Sequence, residues 1–198
     1  MACGTWIFWF YSNKVFKMKD LTVREALSVF YKENQFDSDG GVSKTISWAK
    51  FWFFKIPIIN LKARKIALQY HDLHHIITRY PTSIKGEAEI SAWELASGGW
   101  GRLWYIWGFV LTGMGIGVIL YPTATRKAFY GGVGSTNVYM LNRPFNQLLD
   151  LTLPEIRQAM SKQKSQSRPY WFWATLSACT ILVPAIIFLG LMAWLFQQ

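Results

Sequence analysis

Charge is what this chain has least of. Only 16% of its 198 residues are Asp, Glu, Lys or Arg, against roughly a quarter in an ordinary soluble domain, and no more than 11 are acidic. Cysteine stops at Cys3 and Cys179, which excludes a disulfide framework and a cysteine-based zinc site, so both thiols are expected reduced and unpaired. Strand signals are nearly absent, and no internal repeat is visible. Histidine is scarcer still in distribution: all three, His71, His74 and His75, fall within five residues.

Apolar side chains fill the space that charge leaves. Hydrophobic residues make up 52% and aromatics 17%, and the formal charge is +10. A basic chain at a bilayer gains on the order of 1 kcal/mol per Lys or Arg near anionic headgroups. That combination points to a membrane and away from nucleic acid. The apolar N-terminal segment, residues 1–20, begins "MACGTWIFWFY" with no preceding charge and no cleavage pattern; it is a poor secretory signal and is expected to be surface-lying or buried.

Two stretches, residues 103–121 and 170–196, carry no charge, and each exceeds the roughly 18 residues expected of a membrane span. Arg126, Lys127, Arg143, Arg157, Lys162, Lys164 and Arg168 lie between them, and nothing basic follows the second. By the positive-inside rule, 170–196 is a C-terminal anchor with the bulk of the chain on the cytoplasmic or mitochondrial matrix side. The first stretch has basic residues on both sides and four glycines in "GFVLTGMGIGV", each weakening an exposed helix by about 1 kcal/mol. It reads as a core or membrane-surface segment.

The rest of the chain, 21–165, reads as one all-α domain. Thr22 and Glu25 form a capping box before "VREALSVFYKEN", and Thr152 and Glu155 form another before "LPEIRQAMSKQK". "DSDGG" breaks the chain at 37–41. "SKTISWAKFWFFKI" is a helical candidate stopped by Pro57. Asn60 can cap a helix over 61–79, ended by Tyr80-Pro81 because a residue before proline avoids helical geometry. A further helix spans 87–96, closed by Gly98-Gly99.

On the 61–79 helix, His71 and His75 are four residues apart and share a face, with Asp72 beside them. Ile66, Tyr70, Leu73, Ile77 and Tyr80 make an opposite apolar stripe, and His74 points away and reads as structural. Beyond the Pro81 turn come Glu87, Glu89 and Glu94. Two imidazoles at this spacing with carboxylates on the next helix make a nitrogen/oxygen site for a divalent metal. A solvated face or a hydrogen-bonded core network would show the same spacing.

"HDLHH" also matches one box of the membrane desaturases, but three histidines cannot supply their several boxes, and Asp72 stands where a zincin has Glu. The segment resembles the coenzyme Q biosynthesis protein 4 family, whose signature is HDxxH, eleven residues, then Glu. His71-Asp72-Leu73-His74-His75, residues 76–86 and Glu87 meet that spacing, and "GEAEISAWELASGG" is similar to the family's following context. The similarity extends toward "NVYMLNRPFNQLLDLTLPEIRQAM", covering roughly 20–160.

The resemblance implies an all-α fold of that family's type and a divalent metal, often taken as zinc (Zn2+), held by His71, Asp72, His75 and Glu87. It implies a membrane-associated function on a prenylated quinone precursor, with Asp72 or Glu87 positioning a water or proton during head-ring decarboxylation and hydroxylation. The partners implied are membrane lipid or the prenylated precursor, and other membrane or quinone-biosynthesis proteins. Self-association into a homo-oligomer stays open, as does the alternative of a non-enzymatic scaffold or accessory subunit of a membrane complex.

Overall fold

The computed structural model of the chain describes residues 21–51, 54–59, 61–162 and 167–197. In order these form helix α1 (Val23–Glu33), strands β1 (Ile46–Phe51) and β2 (Phe54–Ile59), and helices α2 (Lys62–Thr78), α3 (Ile84–Ala96), α4 (Trp104–Leu120) and α5 (Pro122–Gly132). A 3-10 turn (Tyr139–Leu141), α6 (Phe145–Leu148), α7 (Leu153–Lys162) and α8 (Tyr170–Leu195) follow. The domain is helical as expected, with one exception. The N-terminal segment 1–20 and Asn60, expected as a helix cap, lie outside the described residues.

The exception is the segment expected as a helix before Pro57. It is an antiparallel ribbon, paired from Ile46↔Ile59 to Phe51↔Phe54. Its density of β-branched and aromatic residues favours the pleated backbone over a helix. Pro57 therefore does not stop a helix; it sits in β2 opposite Trp48. A two-stranded ribbon has only edge strands, where a missing N–H is tolerated.

The Thr22 box closes in both directions, while at Thr152 the carboxylate half forms. Thr22 N–H donates to the Glu25 carboxylate at 2.9 Å, and Thr152 N–H donates to Glu155 at 2.7 Å. The two helix starts also lie side by side. Val23 N–H donates to the Leu151 carbonyl at 2.8 Å and Leu153 N–H to the Leu21 carbonyl at 3.3 Å. Donors that a helix start leaves unpaired thus find partners across α1 and α7.

Helix α3 is the centre of the core. Ala88, Ile90, Ala92, Trp93, Leu95 and Ala96 are all buried, between α4 and α5. Close approach depends on absent side chains. A Cβ on Gly117 would stand 2.8 Å from Ala88 Cβ, and one on Gly113 would strike Ser91. One on Gly115 would strike the Ser177 carbonyl of α8. Glycines that weaken α4 as an isolated helix let three neighbours pack against it. These contacts fix direction: Ala88 faces Gly117 and Ser91 faces Gly113, so α4 runs antiparallel to α3. Trp107 stacks on Trp173 at 5.6 Å while Gly115 meets Ser177 and Ile181, so α4 and α8 run parallel.

Residues 103–121 are thus a helix packed along one side, through Ile106, Val110, Met114, Gly115 and Gly117, and exposed at Trp104, Phe109, Ile119 and Leu120. Helix α8 is long and apolar enough to cross a membrane. In the expected stripe of α2, Tyr70 and Leu73 are buried while Ile66 is exposed. The first turns stay open, and residues 72–76 are buried all round, the Asp72 and His75 side included. Cys179 is free and exposed, as its lone position requires.

The glycines offer a paired test. Gly115→Ala should destabilise the protein by about 1–3 kcal/mol through overpacking. Gly108→Ala, where a Cβ meets nothing within 4 Å, should stabilise it by about 0.5–1 kcal/mol. Thermal unfolding of both variants in the same detergent is the measurement. Equal shifts would refute the close α4–α8 approach.

Candidate metal centre

The turn between α2 and α3 builds the site. Arg79 takes a left-handed conformation (φ 63°) and its N–H donates to the His75 carbonyl at 2.8 Å, ending α2. Ser83 then caps α3 by accepting the Gly86 N–H at 3.2 Å. A Cβ on Gly86 would collide with the Pro81 carbonyl. The turn closes this tightly because residue 86 has no side chain, and closure brings Glu87, in the first turn of α3, over the histidine pair.

Three side chains converge there. His71 Nε2 lies 3.2 Å from His75 Nε2 and 3.2 Å from Glu87 Oε2, and His75 Nε2 lies 3.3 Å from Glu87 Oε1. Their ligating atoms fall within 4.8 Å of one another. The outward-facing ring nitrogens decide what the inner ones can do. His75 Nδ1–H donates to the Tyr80 carbonyl at 2.9 Å, which turns its Nε2 toward Glu87 and His71. His71 Nδ1–H donates to Glu94 Oε1 at 2.9 Å, leaving its Nε2 toward the junction. Two imidazole nitrogens and a carboxylate therefore point at one place, where a cation has to sit. Phe30 stacks on His75 at 5.8 Å and fixes its plane.

Glu94 is fully buried and makes this orientation firm. Its Oε1 also accepts His74 Nδ1–H at 2.7 Å, and its Oε2 accepts Trp100 Nε1–H at 3.0 Å. His74 Nε2 in turn accepts the Val138 N–H at 3.1 Å, so His74 is neutral with a fixed tautomer. Burial pushes its pKa down. Burial opposes charge on Glu94, but His71 and His74 outweigh it and hold the carboxyl well below the usual range. Glu87 is held low in the same way by His71 and His75. Burial also opposes charge on His71, yet Glu94 and Glu87 overcome it and raise its pKa well above the ordinary value. In the metal-free protein a proton on His71 supplies the cation, and a metal would compete for the same position.

Asp72 is placed differently. Its carboxylate is buried beside the Tyr31 hydroxyl, whose hydrogen bond helps to keep it ionised. A Cβ on Gly40 would stand 2.9 Å from Asp72 Oδ2 and 2.8 Å from the Tyr31 hydroxyl. The "DSDGG" loop expected as a simple break thus folds over Asp72. Burial dominates its pKa, against the pull of His71 and His75, and pushes it up to about 6.

Of the expected metal residues, His71, His75 and Glu87 come together, and Asp72 lies beside them outside the converging set. This nitrogen/oxygen donor set fits a divalent metal. His74 is structural. Glu89 pairs with Lys85 at 3.9 Å, away from the cluster. Glu94 was legible only as one more carboxylate, yet its spacing of seven from Glu87 puts both on one face of α3. The Tyr80 carbonyl, Trp100 and Val138 left no sequence signal.

Two substitutions test the electrostatics. Glu94→Gln removes one acceptor from the buried network and should weaken zinc or cobalt affinity about 10–100-fold, as loss of a ligand's supporting group generally does. A competition titration showing unchanged affinity would mean that Glu94 does not orient His71. Because the Asp72 pKa is raised from 3.8 to about 6, stability is full below 3.8 and falls as pH rises through about 6. Asp72→Asn should therefore stabilise the metal-free protein at pH 7, by about 3 kcal/mol on the scale of 1.36 per pKa unit, and give little gain below pH ~4. A gain independent of pH in urea unfolding would contradict this origin.

No protein-family model, curated protein or solved structure matches this chain.

Proposed function

We propose that this is a membrane-anchored helical protein of the coenzyme Q biosynthesis protein 4 type, which binds a divalent metal and acts on a prenylated quinone precursor. The observation that carries the metal is the convergence of His71 Nε2, His75 Nε2 and Glu87 with both histidine tautomers set by outer partners. Two imidazoles and a carboxylate suit zinc. The membrane association rests on α8. The ring chemistry and the prenylated substrate rest on the HDxxH–Glu spacing alone.

When bound, the metal would act as a Lewis acid toward an oxygen substituent on the head ring. His71, His75 and Glu87 hold it, and Glu94 keeps His71 in the ligating tautomer. Asp72, buried with a pKa of about 6, is the group suited to exchange a proton near neutrality. The step these groups would serve is decarboxylation, in which the ring carboxylate leaves as carbon dioxide, the metal would stabilise the electron pair on the neighbouring ring oxygen, and Asp72 would return a proton to the ring carbon. The accompanying hydroxylation, which needs an external oxidant such as dioxygen, rests on the resemblance alone. The larger part of the chain would lie on the cytoplasmic or matrix side, where the basic residues before α8 hold it.

A second reading is a non-enzymatic accessory subunit of a membrane complex. It is favoured by α8, whose residues 182–191 are exposed without interruption, a surface that neighbouring membrane helices would cover.

Elemental analysis of purified protein, with mass spectrometry of its extracted lipid, separates the two readings. The enzyme reading expects bound metal, an isoprenoid-chain lipid, and loss of most metal in His75→Ala with helical content retained. His74→Ala should instead cost stability, about 1–3 kcal/mol for the buried partners it strands. Equal metal in wild type and His75→Ala would sink the site assignment. A metal-free protein that always co-purifies with a complex would establish the accessory subunit.

A further inference from the structure

Helix α8 has 26 residues, about 39 Å at ~1.5 Å per residue, against a hydrocarbon core of about 30 Å. Its first half is not free to cross. Tyr170, Ala174 and Ser177 are buried against the helical domain, and the stretch clear of it, residues 182–195, spans about 21 Å. That is too short for the core. If α8 crosses a bilayer, hydrocarbon must also reach down beside the domain.

Side chains along the α4–α8 pair mark how far. Near the level where Trp107 stacks on Trp173, three guanidinium groups lie on aromatic faces. Arg64 sits over Phe109 at 5.9 Å, Arg168 over Phe172 at 5.6 Å, and Arg126 over Tyr170 and Trp171 at 5.9 and 5.7 Å. Arg126 is the informative one. It follows Thr125, which packs on Gly117 near the far end of α4, yet its side chain reaches back to the start of α8. Long basic side chains snorkel in this way toward headgroups. Trp104 and Trp171 are exposed at 79% and 66% at this level, and Trp194 at 58% at the other end. From Trp171 to Trp194 the helix rises about 35 Å, so the two aromatic levels bracket a hydrocarbon core. Between them neither α4 nor α8 carries a charge, and Phe109, Ile119 and Leu120 face outward.

We propose that lipid acyl chains cover the exposed edge of α4 over residues 109–120 together with α8, so that the domain is immersed at that edge as far as the arginine–aromatic level. The inference rests on α8 lying in a bilayer and not on the identity of the substrate. It has a consequence for the site. A Cβ on Gly113 would stand 3.6 Å from the Glu87 carbonyl, so α4 alone separates the backbone of the metal centre from lipid. A headgroup carried by a membrane-resident amphiphile has only that thickness to pass.

The test uses the full chain with Cys3→Ser and Cys179→Ser, carrying single nitroxide labels at Thr112→Cys, Ile119→Cys or Leu189→Cys, all exposed positions. The protein is reconstituted in liposomes of phosphatidylcholine and phosphatidylglycerol. Relaxation by oxygen and by a water-soluble nickel chelate reports depth. All three labels should respond to oxygen and lose their response to nickel. Nickel response at Thr112 and Ile119 with oxygen response at Leu189 would overturn the immersion of α4 while leaving the anchor intact. Nickel response at Leu189 would overturn the anchor itself, and the inference with it.

Discussion

A carboxylate with no access to water dictates the centre of this molecule. Glu94 is wholly buried, and an unpaired charge in that position would cost several kcal/mol. Three donors answer it: His71, His74 and Trp100. They come from α2 and from the turn after α3, so satisfying one side chain locks two helices and a loop together. The same requirement fixes which nitrogen of His71 carries a hydrogen, and hence where its lone pair points. Structure and ligand chemistry here have one cause. His74 extends the network to Val138, tying in the segment after α5.

The apolar part of the molecule obeys a different constraint. Helix α4 is apolar all round and has little side-chain bulk at Gly113, Gly115 and Gly117, so backbones approach where van der Waals contact is the main attraction available. Through those glycines α3, which carries Glu87 and Glu94, packs on α4, and α4 packs on α8. Helix α3, with its two cluster carboxylates, and the apolar helix α8 are therefore neighbours through a single intervening helix. The polar centre of the domain and the apolar surface of α8 are brought close by that layering.

Local signals were readable wherever they were local in origin. The Thr22 and Thr152 boxes, the end of α2 before Pro81, the i, i+4 histidine pair and the charge-free length of α8 all depend on residues within a few positions of one another. The ribbon at 46–59 was misread because helix and strand compete closely in a short aromatic run, and pairing between two such runs decides the outcome. Asp72 joins the metal set through the resemblance; helical spacing places it beside the histidines but is blind to the loop at Gly40 that folds over it.

By itself the sequence determined the helical character of the domain, the placement of His71 and His75 on one face, and an uncharged C-terminal helix of membrane-spanning length. Those follow from backbone periodicity and hydrophobicity. Tertiary structure alone decided that Glu94 orients His71, that Asp72 is buried under the Gly40 loop beside Tyr31, and that half of α8 lies against the domain. Each of these depends on which group fills the space beside a buried atom, and that space is enclosed by segments distant in the chain.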